Sequence, residues 1–245
     1  MALSPEETRR YARHLVLKGI GGTGQQKLKA ARVVVVGAGA LGSPVIAYLA
    51  AAGIGTLGVV DDDRVALSNL QRQVVHATPD IGAAKTDSAG AFVAALNPHV
   101  AFAAHQMRLS PENAAGIFSG YDLVVDGSDN FETREAAAVA AEALRLPVVS
   151  GAVSMFDGQV TVLAPHLSRA DGSAAPDFRD LYPVTPNPED LPSCEAVGVL
   201  GAVTGVIGTL MAMEAIKLVT GVGDPLISRL LLYDGRSARF TEIAF

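Results

Sequence analysis

The chain has 245 residues, 49% of them hydrophobic, with 19 Lys and Arg against 25 Asp and Glu and a formal net charge of −6. That length carries one large α/β domain or two small ones, and a single domain over 1–245 is the division favoured here. No cluster of Lys and Arg forms a nucleic-acid footprint, the single cysteine, Cys194, excludes an intrachain disulfide and fits a reducing compartment, and the N-terminus lacks the apolar run of a secretory signal; a cytoplasmic location is expected.

Residues 1–30 read as a helical arm. Ser4, Pro5 and Glu7 occupy the N-cap, first-turn and capping-box positions of a helix that carries Arg9, Arg10 and Arg13 on its surface. A glycine hinge at 19–24 then leads to a short helix over 25–30. Residues 31–150 alternate strand and helix, beginning with VVVVGAGALG. The pattern G-x-G-x-x-G occurs at Gly19/Gly21/Gly24, Gly37/Gly39/Gly42 and Gly53/Gly55/Gly58, but only the middle match has a four-valine strand before it and a helical sequence after it. There the free N–H groups and the positive end of the helix dipole suit a phosphate; the other two matches read as turns. Asp61 ends the following strand, where a carboxylate can accept both ribose hydroxyls. Arg72 and Lys85 come next, two cations suited to a chain of phosphates, so the segment points to ATP.

A helix over 85–96, strands over 101–107 and 123–126, a helix over 132–144 and a strand over 148–150 complete this half. They predict a Rossmann-like, mostly parallel sheet with helices on both faces. Ligands of such sheets sit beyond the carboxyl ends of the strands, which places Asp129, in the loop Gly127-Ser128-Asp129-Asn130 after Asp126, near the phosphates. A carboxylate there would repel them unless Mg²⁺ intervened; the alternative is that Asp129 only caps the helix starting near Glu132.

From 151 to 245 the pattern changes. GQVTVLAP, LLLYD and ARFTEIAF read as strands that extend the sheet antiparallel. A proline-containing crossover loop over 165–193 leads to Cys194. Two long uncharged stretches, 33–60 and 196–213, fail as membrane spans. Glycines and Pro44 break the first, and the second holds Gly198, Gly201, Gly205 and Gly208 and continues into Glu214 and Lys217. The Gly201-x-x-x-Gly205 spacing is expected to bring that helix close to a protein neighbour.

Taken together, GAGALG, DDDRVALSNLQRQ, the Lys85 region, DGSDN and SCEAVGVLGAVTGVIGTLMAMEAIKL resemble the MoeB/ThiF family, bacterial relatives of ubiquitin-activating enzymes, over nearly the whole chain. RYARH and LLLYDGRSARF also fit, and SNLQRQ is specific in this setting. The resemblance implies ATP-dependent adenylylation of the C-terminal carboxylate of a small ubiquitin-like sulfur-carrier protein ending in Gly-Gly, with pyrophosphate released. Conversion to a thiocarboxylate then needs a separate sulfur donor. By position it implies that Gly37, Gly39, Ala40 and Gly42 line the phosphate turn and that Asp61 binds ribose, with Asp63 beside it in the nucleotide site. Ser68, Asn69, Gln71 and Arg72 would contact ATP, Lys85 would reach its phosphates, and Asp129 with Asn130 would organise Mg²⁺. It further implies a homodimer in which Arg13 reaches the nucleotide of the opposite subunit. Surface ion pairs are the alternative for Arg13 and Arg72. An ionised carboxylate needs no general base, so catalysis would rest on positioning and on the positive field of Arg72, Lys85, Arg13 and Mg²⁺. Cys194 falls at the family's cysteine position, as a nucleophile or sulfur relay or as an inert buried thiol.

The departures are informative too. Many relatives bind zinc through two C-x-x-C pairs, but Asp177 and Asp180 stand where the first would fall and the tail holding the second is absent. His14, His76, His99, His105 and His166 restore no ligand spacing and read as surface or capping residues, so zinc is not expected. No appended rhodanese-like domain is expected, and Ala40 replaces a glycine common in the turn. Molybdopterin biosynthesis is preferred over thiamine biosynthesis because SCEAVGVLG and LLLYDGRSARF look closer to that branch. An NAD-dependent oxidoreductase would share the glycine turn and the ribose acid but leave SNLQRQ, Lys85 and Asp129 unused. A tRNA-modifying member is disfavoured by the acidic balance, and a non-catalytic docking module by the intact Arg72, Lys85 and Asp129.

Overall fold

The computed structural model describes residues 2–169, 172–184 and 197–245. Val33, Val34, Val35 and Val36 are all buried, as a central parallel strand covered on both faces requires. They belong to β1 (Arg32–Val36), which is joined by β2 (Thr56–Val60), β3 (Ala101–His105), β4 (Leu123–Asp126), β5 (Val148–Ser154), β6 (Asp157–Leu163), β7 (Arg229–Asp234) and β8 (Arg239–Ala244) in the order β3-β2-β1-β4-β5-β6-β7-β8. The first five strands pair parallel and the last three antiparallel, as the sequence predicts. The chain runs outward from β1 to β3 and then returns to β4. The β1–β4 boundary is therefore the point where strand order reverses, and a crevice opens there at the carboxyl ends.

The helices are α1 (Pro5–Arg10), α2 (Ala12–Leu15), α3 (Gly21–Ala30), α4 (Gly42–Ala52), α5 (Lys85–Leu96), α6 (Pro111–Phe118), α7 (Phe131–Ala143), α8 (Phe178–Leu181) and α9 (Gly201–Thr220). Val33 and Val35 face a core with α4, α5 and α9, whereas Val34 and Val36 face α6 and α7. This is the period-2 alternation of a strand sandwiched between helix layers. The predicted capping box on α1 is present, with Ser4 and Glu7 bonding each other's backbone.

Three expectations need correction. The glycine hinge is shorter than read, because Gly21, Gly22 and Gly24 lie inside α3 and the bend is confined to Gly19 and Gly21, both at positive φ. Helix α6 was not anticipated, although Ser110 and Pro111 supply its N-cap and first turn; it is only eight residues long, short for a periodic signal. The close approaches of α9 are made by Gly201 and Gly208, while Gly205 has open space. A Cβ on Gly208 would overlap Pro44 and the Leu41 carbonyl, and one on Gly201 would overlap the Gln71 carbonyl. These two glycines press α9 against the start of α4 and against the segment carrying Arg72.

By length and composition α9 could cross a membrane, yet Val203, Ile207, Met211, Ala212 and Ala215 are buried in the core shared with α4 and the sheet. Glu214, also buried, accepts the Leu226 N–H at 2.8 Å and pairs with Lys217. Met211→Ala empties a fully buried position and is expected to cost about 2–5 kcal/mol in urea unfolding; a change below about 0.5 kcal/mol would contradict this placement of α9.

Candidate active site

The turn between β1 and α4 uses its glycines for three different purposes. Gly37 adopts φ +89°, which a side chain resists, and donates its N–H to the Val60 carbonyl at 2.8 Å. A Cβ on residue 42 would overlap the Gly37 carbonyl oxygen, so glycine is needed there for the helix to start this close to the turn. At Gly39 an added Cβ would meet only Gln73 Nε2 at 3.8 Å. Its bareness leaves the backbone open to a ligand.

Asp61 follows β2 and is tied to this turn. Its Oδ2 accepts the Ala38 N–H at 2.7 Å and its Oδ1 the Asp63 N–H at 2.8 Å. Burial pushes the carboxyl above its usual range, opposed by the Lys85 charge and those two N–H groups. An ionised carboxylate has about four acceptor positions, so roughly two remain for a ligand's hydroxyls.

Arg72 and Lys85 line the same cavity as Asp61. Lys85 opens α5 with its side chain buried and its Nζ 2.7 Å from Asp63 Oδ2. Arg72 Nη1 donates to the Ser68 carbonyl at 3.0 Å. Among the described residues neither Arg72 nor Arg13 has an ion-pair partner, so the surface-pair alternative is not what the structure shows. Arg13 is exposed on α2 and lies outside the cavity.

The other members of the SNLQRQ segment are distributed differently from the expectation. Asn69 is buried, and its Oδ1 accepts the Ala66 N–H at 3.0 Å, closing the 3₁₀ turn Leu67–Asn69. Ser68 and Gln71 are exposed, and none of the three lines the cavity. After Asn69 the chain tightens, with Arg72 and Gln73 both donating N–H to the Asn69 carbonyl, and these two residues face the cavity. Gln73 is buried with its Oε1 unpartnered; the glutamine of this segment that lines the cavity is thus Gln73 rather than Gln71.

On the other side of the crevice, Asp126 is buried and serves the loop that follows it. Its oxygens accept the Ser128 N–H at 3.1 Å, the Ser128 hydroxyl at 2.6 Å and the Ser150 hydroxyl at 3.2 Å, and Arg134 Nε lies 3.4 Å away. Arg134 Nη2 donates to the Ser128 and Gly151 carbonyls, each at 2.9 Å. Sequence reasoning missed Arg134; the available signal was a cation near a helix N-terminus, where the dipole disfavours it. Asn130 is the N-cap of α7, accepting the Thr133 N–H at 2.9 Å. The capping alternative for Asp129 therefore fails, and its exposed carboxylate lines the cavity. A single carboxylate suits a magnesium ion that keeps water and substrate phosphates as its other ligands. Asp61, Asp62 and Asp63 also bring carboxylate oxygens within 4.8 Å of one another, but Asp63 is already paired with Lys85.

Two further expectations can be placed. Asp177 caps α8, accepting N–H groups from Arg179 and Asp180, so the positions compared with a zinc pair close a helix instead. His76 is neither at the surface nor a cap. It is buried beneath the turn, with Nε2 2.9 Å from the Ala38 carbonyl and Nδ1 2.8 Å from Ser88 Oγ. His14 bonds Gln25 and His105 bonds Tyr121 in part-buried positions. Cys194 lies outside the described residues.

The cavity measures about 1460 Å³, beyond the roughly 300–1,000 Å³ of a small-molecule site. From the nucleotide end it continues over the antiparallel strands, past Ser154, Asp157, Gln159, Tyr233 and Arg239. The turn geometry is testable through its glycines: Gly42→Ala is expected to lose about 1–3 kcal/mol in urea unfolding through overpacking, and Gly39→Ala to stay within about 0.5 kcal/mol. Equal losses would show that the turn is built differently.

The ThiF family matches residues 11–245. The chain is 46% identical over 242 residues, 99% of its length, to the protein named "Probable adenylyltransferase/sulfurtransferase MoeZ" of Mycobacterium tuberculosis, and spans 61% of that relative. It is 48% identical over 243 residues to the sulfur carrier protein adenylyltransferase of Thermus thermophilus, covering 99% of this chain and 89% of that one. The crystal structure of Escherichia coli MccB with MccA-N7isoASN superimposes with a TM-score of 0.83 at 18% identity, over 99% of this chain and 72% of MccB, which shows a shared fold. The chain belongs to the ThiF family.

Proposed function

We propose that the protein adenylylates the C-terminal carboxylate of a small ubiquitin-like sulfur-carrier protein at the expense of ATP, releasing pyrophosphate. One observation carries this reading above the others: Arg72, Lys85, Asp61 and Asp129 line a single cleft that continues over β5–β8, leaving room for an extended peptide tail beside a nucleotide. Relatives at 46% and 48% identity named as adenylyltransferases support it.

In this reading Asp61 accepts the ribose hydroxyls, and the phosphates lie over the turn at Gly37, Gly39 and Gly42. Both reactants are anions, so the barrier is largely electrostatic and lies within reach of fixed cations in a partly dry cleft. Lys85 exchanges its Asp63 partner for a phosphate oxygen, and Arg72 swings from the Ser68 carbonyl to the triphosphate. Asp129 would hold Mg²⁺, which, when bound, neutralises phosphate charge and orients the leaving group. The tail carboxylate attacks the α-phosphorus, an acyl–phosphate bond forms, and the bond to the pyrophosphate oxygen breaks. No proton has to move.

Arg13, exposed and without an ion-pair partner among the described residues, acts in the cleft of a second copy in a homodimer. Transfer of sulfur to the adenylate falls to a separate donor, in molybdenum cofactor or thiamine biosynthesis in the cytoplasm.

ATP–pyrophosphate exchange in the presence of a Gly-Gly-ended carrier tests the proposal. Arg72→Ala and Lys85→Ala should each slow exchange by about 100-fold or more, the usual loss when one preorganised charge-stabilising group is removed. Asp129→Ala should abolish the Mg²⁺-dependent reaction while ATP still binds weakly. Full activity in Asp129→Ala would refute the metal assignment, and absence of exchange in the wild type with every candidate carrier would refute the function. Mixing Arg13→Ala with Arg72→Ala protein should restore exchange if Arg13 works across the dimer; no restoration in mixed dimers would place Arg13 outside the reaction.

A further inference from the structure

The peptide groups around Ala38 are pinned at opposite ends. The Ala38 N–H donates to Asp61, and the Ala38 carbonyl lies 2.9 Å from His76 Nε2. That carbonyl shares its planar trans peptide with the Gly39 N–H, and in such a unit C=O and N–H point in opposite directions. Holding the carbonyl down onto a buried ring therefore aims the Gly39 N–H away from the core. Gly39 lines the cavity, and among the described residues its N–H has no hydrogen-bond partner.

Counting hydrogens fixes the role of one ring nitrogen. A carbonyl only accepts, so Nε2 must carry a hydrogen. On its other side Nδ1 is 2.8 Å from Ser88 Oγ, which itself lies 2.9 Å from Asp80 Oδ2. Ser88 has one hydroxyl hydrogen. If that hydrogen goes to Asp80, Nδ1 must donate and the ring is an imidazolium; if it goes to Nδ1, the ring is neutral. Nε2 donates to Ala38 in both cases. Asp61 and Asp80 favour the charged ring, whereas burial, the largest influence, and Lys85 hold it below its ordinary range.

We propose that His76 is a positioning residue that, braced by Ser88, orients the Gly39 N–H as a donor to the phosphates of the bound nucleotide. This rests on the nucleotide-binding reading above, and its first test does not depend on that reading. A long-range ¹H–¹⁵N spectrum of the histidine side chains in the ligand-free wild type should show His76 with Nε2 protonated. A ring protonated at Nδ1 alone overturns the proposal.

The second test is binding and exchange by variants. His76→Ala should weaken ATP binding and raise the KM for ATP by about 3- to 10-fold, the worth of one hydrogen bond, with kcat and adenosine affinity little changed. His76→Gln, whose amide can donate to the same carbonyl, should recover most of the loss. A fall in kcat alone, an equal loss for adenosine and ATP, or a folded His76→Gln no better than His76→Ala would each reduce His76 to a packing residue. Failure of the wild type to bind ATP would instead strike the functional reading and leave the ring assignment standing.

Discussion

Residue 42 can only be glycine if β1 is to turn into α4 as it does, because the Gly37 carbonyl oxygen occupies the place of a side chain there. The same turn packs closely on the neighbouring strand end: a Cβ on Gly37 would lie 3.2 Å from the Gly127 carbonyl. Through Ala38 the turn is also bonded to Asp61 at the end of β2. One steric constraint thus draws the carboxyl ends of β1, β2 and β4 and the N-terminus of α4 to a common point. Arg72, Lys85, Asp61 and the Asp129 loop meet only because those ends are held together.

The two ion pairs flanking this point differ in kind, and their magnitudes assign them different work. Asp126 and Arg134 are both nearly dry, and each also hydrogen-bonds Ser128; removing one partner of such a pair costs about 3–5 kcal/mol, so the pair behaves as fixed framework for the loop Gly127–Asn130. Asp63 is 66% exposed where it meets Lys85, whose own side chain is buried, so this pair lies between the roughly 0–1 kcal/mol of a fully exposed pair and a dry one. The dry pair holds the loop, and the half-exposed pair sets Lys85 at the cavity wall.

Elements with strong local signals were readable in advance: the buried valine strand, the capped α1, the helix beginning at Lys85 and the antiparallel C-terminal strands all lie where period and turn chemistry put them. Within the site, Gly37, Gly39, Ala40, Asp61, Arg72, Lys85 and Asp129 line one cavity, while Gly42 lies outside its lining. The misses share a cause. Gln71 and Gln73 differ by two positions in one segment, and a short 3₁₀ turn decides which faces inward. His76 and Arg134 act through backbone carbonyls distant in sequence, and no local pattern marks a side chain whose partner is a carbonyl. Helix α6 is only eight residues long, with Ala114 and Phe118 its buried residues, too short a stretch for periodicity to mark it.

The most direct measurement is a crystal structure of the protein with a non-hydrolysable ATP analogue and Mg²⁺. The account predicts ribose hydroxyls on Asp61, phosphates over Gly39 between Arg72 and Lys85, and the metal against Asp129, with the α-phosphorus open toward the groove over β5–β8. A nucleotide whose phosphates lie away from Arg72 and Lys85, or whose α-phosphorus is walled off from that groove, would contradict it.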